Sequence, residues 1–154
     1  SGEFKWIKEF ITNYNSELKE EHRNNIFNFS FALYHYRMGN YSIALEFASK
    51  IISDEMSYKH QLKSLYLKIF FDMNEIQSFY SHVDSYKHFL NNDKMLRKEN
   101  KNVILNYILF AKKIFDLRSN PDIERSEIDY LRKKILNHKD VINKTWLLDA
   151  IDRI

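Results

Sequence analysis

The sequence predicts an all-α protein, built as seven or eight antiparallel helices in a stack of helix hairpins, a short and irregular α-solenoid. Three observations carry this. The 154 residues include two Gly and one Pro, where average usage would place about eighteen of the two together. Apolar residues recur at three- and four-residue spacing along nearly the whole chain. A helix–turn–helix layout also returns after thirty-five residues, which is the mark of a repeat architecture.

The first apolar stripe, Phe4, Ile7, Phe10, Ile11 and Tyr14, predicts a helix over about 3–14. The next runs over about 17–38, opening with Glu17, Glu20 and Glu21, acids that suit a helix N-terminus. Its later part, Ile26 to Tyr36, is apolar on more than one face and is expected between neighbours. Gly39-Asn40 ends it, with Gly39 in the left-handed conformation that favours glycine. A third helix carries Tyr41, Ala44, Leu45, Ala48, Ile51 and Ile52 and closes at Ser53-Asp54. The fourth, about 57–73, shows Leu62, Leu65, Tyr66, Ile69, Phe70 and Met73, and Asn74 breaks it. The fifth, about 75–90, carries Ile76, Phe79, Tyr80, Val83, Tyr86 and Leu90 before the polar run Asn91-Asn92-Asp93. The sixth, about 94–117, has the broadest apolar surface and is expected to be central. Pro121 falls where the first turn of a seventh helix would tolerate it, the helix continuing to about 137. The last helix covers about 141–152. Connections of two to five residues imply antiparallel neighbours.

The segment Ala32 to Leu45 resembles the heart of a tetratricopeptide (TPR) repeat. A small residue, Ala32, precedes the turn Gly39-Asn40-Tyr41, and Ala44-Leu45 opens the second helix. Thirty-five residues on, Leu67, Asn74, Phe79 and Val83 stand where Ala32, Gly39, Ala44 and Ala48 stood. The repeat length of a TPR is about 34 residues. The clearest repeat is 25–56, a degenerate one follows at 57–91, and an irregular hairpin with a capping helix fills 93–154, all within one helical domain. The chain is also similar to the C-terminal region of uncharacterised TPR-like proteins of Bacteroidetes-type bacteria, down to Lys144-Thr145-Trp146-Leu147-Leu148. Ser1-Gly2 without an initiating Met reads as a cloning remnant, so the chain is expected to be part of a longer protein.

Composition excludes several functions. Two glycines cannot build a phosphate-cradling loop. With no Cys there is no disulfide framework, thiol nucleophile or cysteine zinc site. That usage suits a reducing, cytoplasmic setting. No apolar run approaches the ~18 residues of a membrane span. The aromatic share is 16%, but Phe, Tyr, Ile, Asn and Lys together make nearly half the chain, the usage of an AT-rich genome, so core filling and codon bias account for most of the rings.

Among catalytic candidates, Glu20-Glu21-His22 and the pair Asp72 and Glu75 are compact clusters, but both lie at helix ends where carboxylates stabilise the dipole. Asp84 and His88 share a face with His82 nearby. That is fewer than the three or four converging ligands a metal needs. No enzyme activity, metal or cofactor is expected.

Two surfaces remain. The first is the concave face the TPR resemblance implies, lined by Ile26, Phe29, Leu33, Tyr36 and Arg37 and, one repeat on, Gln61, Ser64, Lys68, Phe71 and Asp72. Of these, Phe29, Leu33, Tyr36, Arg37, Lys68 and Phe71 form the candidate groove for a peptide or helix of an unknown protein partner. The alternative is a structural or self-association domain whose groove is filled by its own terminal helix. The second surface is the stripe Lys94, Arg97, Lys98 and Lys101, at i, i+3, i+4 and i+7, open to RNA or an acidic partner. The net charge is +3 and the pI of 8.9 falls short of the value above about 9 that marks nucleic-acid binders. Oligomeric state is left open.

Overall fold

The computed structural model describes residues 20–52 and 58–154, together with Lys5 and Glu9. The described residues are all-α, with no strands and seven helices: α1 Glu20–Arg37, α2 Tyr41–Ser49, α3 Lys59–Asp72, α4 Ile76–Asn92, α5 Lys98–Arg118, α6 Arg125–Asn137 and α7 Lys144–Asp152. Apart from Lys5 and Glu9, the helix expected over 3–14 lies outside the described residues, as does the closing Ser53-Asp54. The chain divides into two compact units, Ser1–Phe79 and Tyr80–Ile154. The boundary falls inside α4, not at the polar run 91–93 that separates the last repeat in the sequence.

In the first unit α1 and α2 form the tightest hairpin. Ala32, Ala44 and Ala48 are between 0% and 1% exposed, and a methyl side chain is what lets two helix backbones approach closely. Leu62, Leu65 and Ile69 of α3 complete this cluster. α3 is apolar on two faces, with Leu67 and Phe71 buried as fully as the others, as a helix with neighbours on both sides requires.

The thirty-five-residue period is reproduced bond for bond at the two turns. The Asn40 amide donates to His35 O at 2.8 Å and Gly39 to Tyr36 O at 3.0 Å. The Glu75 amide donates to Phe70 O and Asn74 to Phe71 O, each at 3.1 Å. Both sets are the paired closure that ends a helix on a left-handed residue. Gly39 has φ 77° and Asn74 φ 54°, so Asn74 does the work of the missing glycine, as its short polar side chain permits. Such a Cβ on Gly39 would meet nothing within 4 Å. Gly39→Asn is therefore expected to leave stability within about 0.5 kcal/mol, and Gly39→Ala to cost about 1–2 kcal/mol through the backbone alone. Urea denaturation of the two variants checks this.

Asn25, 3% exposed, closes the other end of the hairpin. Its Oδ1 accepts from the Ile52 amide at 3.0 Å and its Nδ2 donates to the Ile52 carbonyl at 2.9 Å. α2 stops at Ser49, earlier than its apolar pattern, and Ile52 lies beyond the helix, clamped by Asn25.

In the second unit α5 is central, with Ile104, Tyr107, Ile108, Phe110, Ala111, Ile114 and Phe115 buried. Ile128, Leu131 and Ile135 of α6 and Leu147, Ala150 and Ile151 of α7 pack as single stripes. Trp146 meets Tyr107 edge-on at 6.0 Å, and Arg132 of α6 donates twice to Asp152 of α7, at 2.6 and 3.3 Å.

Two helix starts differ from the sequence reading. α5 begins at Lys98, because Asp93 Oδ1 takes the Met95 and Leu96 amides at 2.9 and 3.1 Å and holds 94–96 in a turn. α6 begins at Arg125, because Glu124 and Glu127 form a reciprocal capping box. Pro121 thus lies in the preceding turn and not in the first helical turn. Among the described residues no helix is long and apolar enough to cross a membrane.

Candidate binding face

α1 and α3 place the predicted groove residues side by side, but not all on the surface. Phe29, Leu33 and Tyr36, at i, i+4 and i+7, are half-buried against the alanine-rich core cluster. The Phe29 ring lies 5.0 Å from that of Tyr58. Arg37 is exposed at the end of the row. On α3, Lys68 faces the same end.

Phe71 is the correction. It is 1% exposed, with its ring edge-on to Phe79 at 5.8 Å. The repeat places it opposite Tyr36, but α3 has a second neighbour, α4, and Phe71 turns into that contact. The rim position passes to Asp72, which accepts a hydrogen bond from the Tyr36 hydroxyl at 2.6 Å. Lys68 is held below its usual pKa, first by burial and then by the Arg37 charge, with Asp72 pulling the other way. The end of the face thus gathers two cations around a carboxylate already engaged by Tyr36. Ser64, where the repeat would open the middle of the face, is 7% exposed.

The same chemistry recurs in the second unit. The Tyr80 hydroxyl donates to Asp116, which also receives Lys112 Nζ at 2.9 Å. Lys112 lies over the Tyr80 ring at 5.4 Å. In both units a Lys four residues before the Asp joins a Tyr thirty-six residues before it. Sequence reading missed both pairs; the Lys-x-x-x-Asp spacing at the ends of α3 and α5 is the one local signal. The hydrogen bond to Asp116, followed by burial and the carboxylate charge, raises the Tyr80 pKa to about 12. A phenol whose folded pKa is raised adds stability that is complete below its unfolded value near 10 and is lost as pH rises through about 12. In an alkaline ultraviolet titration Asp116→Asn is expected to bring one tyrosine down toward 10. A curve unchanged by the substitution would contradict the bond.

The basic stripe is not one helical face. Lys94 lies in the turn before α5, Arg97 is its N-cap residue, and only Lys98 and Lys101 are helical. Lys101 Nζ reaches the Asn91 carbonyl at 3.4 Å, a cation at the C-terminus of α4 that stabilises that helix end. Of the other candidates, His88 contacts Asn92 at 2.9 Å and lies exposed with Asp84. Among the described residues no three His, Cys, Asp or Glu side chains are grouped to hold a metal. Compared with protein-family models, curated proteins and solved structures, the chain matches none closely enough to assign it a family.

Proposed function

We propose that this chain is a non-enzymatic protein-interaction module of the TPR-like kind, from a bacterial cytoplasm, that binds a peptide or short helix along α1 and α3. The observation that carries the reading is the row Phe29, Leu33 and Tyr36, half-buried at helical spacing and ending on exposed Arg37 beside Lys68. An apolar row with a cationic end suits an amphipathic segment whose apolar side chains lie on Phe29 and Leu33 and whose carboxylate meets Arg37. Peptides selected from a display library against the whole chain are expected to perturb the amide signals of Phe29, Leu33 and Arg37. Arg37→Glu, an exposed position that leaves folding intact, is expected to weaken them at least about tenfold. Binders insensitive to Arg37→Glu that perturb other residues would refute the assignment.

The burial of Ser64 favours a second reading, a structural domain whose α1–α3 face is closed. That reading predicts no selected peptide on the face and a mass in light scattering set by self-association or by a lone monomer.

A further inference from the structure

We propose that the hollow between α5 and α6 is a separate docking site, for an acidic peptide segment in which carboxylates flank a large apolar side chain. The hollow is a shallow depression open to solvent, with a volume of about 420 Å³, and its apolar lining is Leu117, Leu131 and Tyr130. Leu131 is buried and forms the floor, whereas Tyr130 is 70% exposed at the rim. Amphipathic rings of this type are enriched at protein interfaces.

The charges lining the hollow are sorted by their partners. Asp116 and Glu127 line the end nearest the 119–124 turn. Both are already engaged, Asp116 by Tyr80 and Lys112, and Glu127 by the Glu124 amide at 3.3 Å. Lys113 and Lys134 line the opposite end, because antiparallel helices joined at 119–124 set position 113 beside 131–134. Among the described residues neither lysine meets a carboxylate within 4.0 Å. The charge lining the hollow is thus polarised, with two cations that meet no carboxylate at one end of an apolar floor and the carboxylates of Asp116 and Glu127 at the other. The carboxylates at the other end would repel a continuous phosphate backbone, which selects against nucleic acid. A segment with acidic groups confined to the lysine end, and an apolar side chain between them and the floor, meets both requirements.

The test uses the whole chain, isotope-labelled, titrated with N-acetyl-Asp-Phe-Glu amide and, as control, its Lys-Phe-Lys counterpart. The acidic peptide is expected to shift the amide signals of Leu117, Tyr130, Leu131 and Lys134, saturating with a Kd on the order of 1 mM and weakening as salt is added. Lys113→Glu with Lys134→Glu, both exposed, is expected to lose this binding at least about tenfold and to gain response to the basic peptide. Unchanged circular dichroism confirms that the variant is folded. Tyr130→Ser is expected to weaken binding with the lysines intact. No saturating shift, equal response to the basic peptide, or binding that survives the double charge reversal would each overturn the proposal. So would shifts at the same residues that follow protein concentration alone, indicating a second copy, or that respond to an oligothymidylate and not the peptide. Shifts confined to Leu33 and Arg37 would overturn it too, while leaving the α1–α3 reading standing.

Discussion

Phe71→Ala is expected to lower the stability of the chain by about 3–5 kcal/mol, the usual cost of deleting a buried phenyl ring. The side chain is 1% exposed and its edge meets Phe79, itself 0% exposed. The loss combines the transfer energy of the ring with the cavity left between α3 and α4. Leu67 and Ile69, also 0% exposed, are held by the helix and cannot collapse far into that space. Arg37→Ala, at the rim of the same face, is expected to change stability by less than about 0.5 kcal/mol. Urea denaturation of the two variants makes the comparison. A loss below about 1 kcal/mol for Phe71→Ala would return the ring to the surface, where the repeat register alone would have put it.

Ala44→Leu is expected to cost about 1–3 kcal/mol by overpacking, although its counterpart one repeat later is a phenylalanine. Ala44 and Phe79 occupy the same point of the two hairpins. The Ala44 amide donates to Asn40 O at 2.9 Å and the Phe79 amide to Glu75 O at 2.8 Å, and both side chains are 0% exposed. The difference lies in what faces them. α1 meets α2 through Ala32, Ala44 and Ala48, so added methylenes must displace a backbone. Phe79 packs against Phe71, a side chain of matching size. Enlarging Ala44 and truncating Phe79 therefore both destabilise, for opposite reasons. An Ala44→Leu chain within about 0.5 kcal/mol of the parent in denaturation midpoint would mean that the α1–α2 contact has slack its burial denies.

Much of the fold was legible because its signals are local. A glycine at the end of a long helical periodicity, followed at once by a polar Asn, marks a helix C-terminus, and Gly39 does end α1. The thirty-five-residue register was legible for the same reason, and Asn74 preserves it because asparagine tolerates the left-handed backbone. Helix starts were less legible, since each depends on a competition between side chains for a few amides. Asp93 captures the amides of 95 and 96, which moves the start of α5 to Lys98 and splits the basic stripe. The Glu124–Glu127 box outcompetes Pro121. The binding face was the least legible. α3 is apolar on two faces, and periodicity cannot say which of them gains the second neighbour, so Phe71 was assigned to the rim when α4 had claimed it. The Tyr36–Asp72 and Tyr80–Asp116 bonds join residues thirty-six apart, and no local pattern announces them.

The Asn25 side chain has a consequence for how the first hairpin opens. Ile52 is 53% exposed, and an amide on so open a residue would ordinarily trade its proton with water at the rate of a frayed end. Here that proton is held by Asn25 Oδ1 at 3.0 Å, and Asn25 belongs to α1. Exchange at Ile52 therefore requires α1 to let go of residue 52. Its rate reads out the free energy of that local opening, which makes one exposed amide a reporter on the integrity of the α1–α2 hairpin, measurable in the native protein without denaturant.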